Sequence, residues 1–400
     1  MKTQAIQLLE KLCTPFGIRA SLSNEGNYNA VFARDAVMSG IAGLLAENQT
    51  IIDGLISSLY YFKATQGSNG QIASNFQFDS QQVTHVSFGT LSAKIDSCTY
   101  YLIGIGLLLQ EGYLQAEDWK ESVHKTIELL NSIEYNKRHL VYVPRGGNWA
   151  DEYPYEGYLL YDQALRLWAL RLCGNTFEEA SWTAKANQIE ETILGNYIID
   201  PSYSTEGIKY HQVAYKRFSE KTTLPYYASG FSPIGYSTVF DLPANMLTTL
   251  VIKHEFNQRV FEWIDDVFTS KEAFPSVFYP IITPTDSNWD EIANFYLFVF
   301  KNKPHHYHNG GIWMIWLGWA ALALAQNGED ARVQQLYERC LSYIQHNPDF
   351  CFDEYIDSLE MKVGGVKNLG YTATGIVFMD IAANHKERLQ ILRKETQYVM

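Results

Sequence analysis

GGIWMIWLGWAALALAQ, residues 310–326, is apolar on every side of a helix. Such a helix has no face to give to water and is buried all round. The run from Ile312 to Ala325 is shorter than the ~20 apolar residues that span a bilayer, so it belongs in a folded interior. Residues 94–111 read the same way.

Working outward, apolar residues recur with helical spacing through most of the chain. The pattern predicts helices near 3–13, 30–46, 49–66, 94–111, 115–134, 156–173, 176–198, 240–253, 255–269, 310–326, 329–346, 370–384 and 386–396. Strand signals are weak and confined to loops, as at His139 to Val143. The helices come in pairs with short links, such as Ala46–Gln49 and Asn327–Glu329. One member of a pair is often the more apolar. The segments between pairs (67–93, 135–155, 199–239, 270–309 and 347–369) are long and rich in turn residues and aromatics, and long loops of this kind are usually functional. Apolar inner helices alternating with more polar outer ones imply an all-α toroid of about six helix pairs, its long loops gathered at one mouth. With no repeat, low-complexity tract or linker, residues 1–400 read as one domain.

Composition narrows the function. There are 31 basic and 44 acidic residues, a net charge of −13. That field repels phosphate backbones and anionic lipid, which argues against nucleic-acid and membrane partners. A small neutral carbohydrate is compatible with it. Five cysteines, an odd number with no CxxC pair, read as reduced thiols of a cytoplasmic protein. The start, MKTQAIQLLEKL, lacks signal-peptide order. No GxGxxG or GxxxxGK[ST] motif points to a cofactor. The 27 Tyr, 21 Phe and 9 Trp mostly fill a core, and some suit the C–H faces of a sugar. The oligomeric state is not legible.

Glycosidic cleavage commonly uses two carboxyl groups, one protonating the leaving oxygen and one activating water or attacking carbon. Carboxylates near loop–helix junctions are therefore the candidates. Arg34 and Asp35 lie early in a helix, where an ion pair or dipole contact is the plainer role. Asp96 starts the buried helix after a long loop; it suits a cap, and desolvation there would suit a general acid. NWADEYPYEGYLLYDQAL holds Trp149, Asp151, Glu152, Tyr155, Tyr158 and Asp162, carboxylates interleaved with aromatics. HHYHNGGIW, residues 305–313, offers three histidines, yet no HExxH and no second cluster supports a metal. Its Asn309–Gly310–Gly311 turn brings backbone close to a ligand instead. Asp353, Glu354, Asp357 and Glu360 crowd before a glycine-rich turn.

Together these segments resemble the neutral/alkaline invertases. NYNAVFARDAVMSGIAGLL is similar to the family's NY-x-x-VF-x-RD segment, FGTLSAKIDS to the stretch ending in Val-Asp-Ser, and GYLLYDQAL to a Gly-Tyr-x-x-x-x-Gln-Ala-Leu helix. FDLPANML, YHNGGIW and FDEYID follow in the family's order, so the resemblance runs from about residue 27 to 380. It implies an (α/α)6 toroid that hydrolyses sucrose with inversion. By motif position it makes Asp96 the general acid and Glu354 the general base. It places Arg34, Asp35, Asp151, Gln163, His308 and Asn309 along the sugar site, and the aromatics Trp149, Tyr158 and Trp313 in the same segments complete the candidate set. The chain departs from the family at Lys94–Ile95, at Asp353 and at Tyr371–Gly375, the last being a stretch that helps hold the sugar or leaving group. A looser resemblance reaches debranching-type glucosidases that share the toroid.

Two other functions fit the same residues. A sugar epimerase or isomerase would use a histidine such as His308 or His254 to move a proton beside a carbonyl. A non-catalytic carbohydrate-binding protein would need only the aromatics and polar edges.

Overall fold

A computed structural model describes residues 1–89, 92–203, 207, 209–296 and 299–393. Its helices are α1 Lys2–Leu12, α2 Ala33–Ala46, α3 Gln49–Ala64, α4 Asp96–Gln110, α5 Ala116–Ser132, α6 Leu160–Thr176, α7 Ala180–Tyr197, α8 Gln212–Ser219, α9 Leu242–Val251, α10 Phe256–Val267, α11 Trp289–Asn294, α12 Met314–Gln326, α13 Asp330–His346 and α14 Gly370–Asn384. Most expected helices appear within a few residues of their expected ends. The expected helix at 386–396 is a 3-10 helix over Lys386–Arg393, and its last three residues lie outside the described residues. Two short helices, α8 and α11, were not expected.

Six helices form a closed inner ring: α2 packs on α4, α4 on α6, α6 on α9, α9 on α12, α12 on α14, and α14 returns to α2. Burial follows position. In α12 every residue from Met314 to Ala325 is buried, whereas α13 buries only Val333, Cys340 and Ile344. The outer layer is α1, α3, α5, α7, α10 and α13, so the chain makes an (α/α)6 toroid. Its tightest inner contact needs glycine. A Cβ on Gly375 would stand 2.1 Å from the Met314 carbonyl oxygen, and one on Gly318 would stand 2.6 Å from the Gly375 Cα. Side chains cannot fit between backbones this close.

The pair links set the direction of travel. Glu47, at positive φ, and the Asn48 cap turn the chain from α2 into α3. Short strands lie mainly before the inner helices: Val31–Phe32 before α2, Tyr158–Leu159 before α6 and Phe240–Asp241 before α9. Two-residue pairings such as Phe240–Asp241 with Phe278–Tyr279 tie the loops together. The 67–93 loop contains a hairpin, Asn75–Phe78 with Val83–Ser87, so the strand content exceeds the expectation. The inner helices therefore start at one mouth, where Asp35, Asp96 and Asp162 occupy first turns and Asp241 caps α9. Helix N-termini favour such carboxylates. No helix among the described residues is long and apolar enough to cross a membrane, and all five cysteines are free thiols.

Candidate active site

At the mouth where the inner helices start lies a cleft of about 490 Å³. Arg34 and Asp35 reach it from α2, Trp149, Asp151 and Glu152 from the loop before α6, His308 and Trp313 from the approach to α12, Glu354 from the approach to α14 and Tyr371 from its first turn. Segments far apart in sequence meet here because each precedes or begins an inner helix.

Trp149 makes the aromatic wall, with its ring centroid 5.0 Å from His308 and 5.8 Å from Trp313 in edge-to-face arrangements. Burial pushes His308 down to about 3, so its ring is neutral. Two buried polar atoms of this wall, His308 Nδ1 and Trp149 Nε1, have no hydrogen-bond partner among the described residues.

The carboxyls differ in setting. Glu354 is 6% exposed; Tyr28 Oη donates to its Oε1 at 2.6 Å and Val366 N to its Oε2 at 3.3 Å. Burial raises the Glu354 carboxyl above the ordinary range despite those donors. Asp35 is pushed up to about 6, by burial first and against the pull of Arg34. Asp151 stands at the rim, 47% exposed, with Lys94 Nζ 3.1 Å from Oδ2. Crowding by protein raises it, but the Lys94 and Arg34 cations outweigh that and hold it below the ordinary range.

Asp96 departs from its expected place. It is 1% exposed, does not line the cleft, and accepts Arg34 Nη1 at 2.7 Å. The guanidinium that faces the cleft covers it, so Asp96 acts as the buried counter-charge of Arg34 and has no route to a leaving group. Asp96→Asn is expected to cost about 3 kcal/mol of stability, because breaking a buried pair strands the remaining charge. An unchanged denaturant midpoint would contradict that role.

Three further expectations are corrected. Gln163 is fully buried and buckles the chain, its amide bonding both Val141 backbone groups at 3.0 Å and the Leu159 carbonyl. Asn309 does the same for Ile282, accepting its N–H at 2.9 Å and donating to its carbonyl at 2.8 Å. Tyr158 lies in a cluster with Tyr142, Tyr210 and Phe231, away from the cleft. His254 follows the end of α9, at the opposite mouth from His308. The cleft does take in Arg34, Asp35, Trp149, Asp151, His308, Trp313 and Glu354. Among the described residues, no three His, Cys, Asp or Glu side chains converge to hold a metal.

Sequence reasoning passed over Tyr28, Lys301 and Tyr307 as cleft residues, while Tyr371 opens the stretch that the resemblance placed against the sugar and does line the cleft. Lys301 pairs with Glu152 at 3.2 Å and lies over the Tyr307 ring at 4.6 Å. Tyr28 and Tyr307 stood inside quoted motifs and carried a signal; Lys301 carried none.

No protein-family model matches the chain, and no curated protein sequence matches it. Solved structures do. A GH63 mannosylglycerate hydrolase from Thermus thermophilus, complexed with Tris and D-glycerate, superposes with TM-score 0.63 at 12% identity over 94% of this chain and 99% of that one. A bacterial glucoamylase complexed with acarbose gives 0.60 at 14% identity, covering 100% of this chain and 57% of that one. An alpha-amylase from Clostridium perfringens gives 0.53 at 12% identity, covering 95% and 97%. At such identities the likeness establishes the toroid.

Proposed function

We propose that the chain is a glycoside hydrolase acting on a small neutral glycoside, with Glu354 as general base and Asp151 as general acid. The observation that carries this reading is that Asp151 and Glu354, from loops some two hundred residues apart in sequence, line one cleft from which Asp96 is shut out. A cleft of about 490 Å³ suits a ligand of one or two sugar units. The polar cleft residues Arg34, Asp35 and Asp151 match sugar hydroxyls, and the Trp149–Trp313 wall matches C–H faces. That the similar folds include a mannosylglycerate hydrolase, a glucoamylase and an alpha-amylase supports the same class of chemistry.

The two carboxyls divide the work by setting. Glu354 is fixed by Tyr28 and Val366, as a base that must aim one lone pair at water should be. Asp151 begins ionised beside Lys94. A sugar filling the cleft strips water from its exposed half, and loss of hydration raises a carboxyl toward the protonated form an acid needs. A base that activates water on the face opposite the leaving group gives inversion. The invertase resemblance makes sucrose the first substrate to try and other α-glucosides the next.

A proton NMR time course of the purified protein with sucrose, then with α-linked glucose disaccharides, tests this. Early β-glucose is the expected result. Early α-glucose excludes inversion, and intact sugars throughout the series defeat the hydrolase reading.

A further inference from the structure

The loop that carries Trp149 and Asp151 is closed at its base by Val143 and Gly157, whose backbones exchange hydrogen bonds of 2.8 and 2.9 Å. Between those ends it is held by side chains that do not line the cleft. Asn148 is 2% exposed, and its Oδ1 accepts the Ala150 N–H at 3.1 Å. Its Nδ2 donates to Tyr155 Oη at 3.1 Å and to Asp162 Oδ2 at 3.4 Å. Tyr155 Oη donates to Asp241 Oδ2 at 3.1 Å, while Asp241 Oδ1 caps α9 through Ala244 N at 2.9 Å.

We propose that Asn148, Tyr155, Asp162 and Asp241 form a clamp that positions Asp151, fastening its loop to the starts of α6 and α9. This inference rests on the reading of Asp151 as general acid. The bond directions are consistent: the Asn148 amide gives its two protons to Asp162 and Tyr155, and the Tyr155 hydroxyl passes its own to Asp241. Two links leave the loop, Asn148 to Asp162 in the first turn of α6 and Tyr155 to Asp241 at the cap of α9, and the Asn148–Tyr155 bond joins them within the loop; α6 and α9 pack on each other in the inner ring. Burial pushes Asp241 up to about 7 and raises Asp162 well above the ordinary carboxyl range. A reacting group displaced by about 1 Å loses on the order of 100-fold in rate, which is what such a fastening prevents. These four are positioning residues, since none of them lines the cleft.

Tyr155→Phe removes the central hydroxyl and keeps the ring. Hydrogen–deuterium exchange of full-length protein should show the 149–152 amides exchanging on the order of 10-fold faster in this variant, with α6 and α9 unchanged. Equal exchange at 149–152 overturns the clamp, whether or not any sugar is turned over. Kinetics supply the second reading. With sucrose, kcat should fall about 10- to 100-fold at constant KM, while α-glucosyl fluoride, whose leaving group needs no proton, stays within about twofold. Equal losses on both substrates would mark Tyr155 as merely structural and overturn the positioning role. If wild type cleaves neither substrate, the hydrolase reading fails and exchange alone judges the clamp. Asp241→Asn leaves one acceptor oxygen for two donors, the Ala244 N–H and the Tyr155 hydroxyl, so the 149–152 amides should again exchange faster than in wild type; wild-type exchange there would overturn the link to α9.

Discussion

Glu354→Gln is expected to lower kcat by about 10⁴-fold, the upper end of what a positioned base contributes. The loss should be as large with α-glucosyl fluoride as with sucrose, because water must be deprotonated in both. The variant should fold normally. Glutamine keeps the shape, its amide oxygen still accepts one of the two donors, and the Tyr28 hydroxyl can turn to accept the amide proton. The pH profile gives a linked expectation. Burial raises the Glu354 carboxyl above its ordinary 4.5. As pH falls through that raised value the base is protonated, so kcat/KM should drop on the acid side earlier than for an exposed glutamate. Activity within tenfold of wild type in Glu354→Gln would move the base elsewhere. Asp35, the cleft carboxyl pushed up to about 6, would be the next to test.

The architecture was legible because burial leaves a compositional trace. A helix buried all round must be written in apolar residues, and α12 and α4 are. The short links at Glu47–Asn48 and Asn327–Glu329 likewise had to reverse the chain. Helices α8 and α11 escaped because eight and six residues give too few turns for a period to emerge. At the site, sequence position could bring Asp96 to the mouth but not reveal what lies over it. Its neighbour Arg34 is sixty-two residues away in sequence and 2.7 Å away in space. Gln163 and Asn309 show the opposite failure. Both sit beside the cleft's segments, yet their amides are consumed by backbone groups of Val141 and Ile282. Buried loop backbone has to be satisfied by something, and an amide that both donates and accepts is well suited to it. Motif position alone does not separate such a residue from a ligand.

Asp151→Asn should separate the acid from every other carboxyl in the cleft. With sucrose, kcat is expected to fall by about 10²- to 10⁴-fold, since the glycosidic oxygen would leave unprotonated. With α-glucosyl fluoride the variant should keep most of its activity, because fluoride departs without a proton. Asp35→Asn should behave differently: a group that only holds the sugar weakens both substrates alike, and chiefly through KM. Asp96→Asn should also lose on both alike, as it frees the Arg34 guanidinium from its fixed place, and should lose stability as well. The pattern distinguishes the three by mechanism rather than by size of effect. If Asp35→Asn showed the fluoride-sparing pattern and Asp151→Asn did not, the acid would be Asp35. Asp151 would then be the partner of Lys94 at the rim, with its low carboxyl pKa reflecting a standing ion pair. Asp151 remains the stronger choice because it is reachable. An acid must touch the leaving oxygen, and Asp151 presents about half its carboxyl side chain to the cleft mouth where a leaving group would depart.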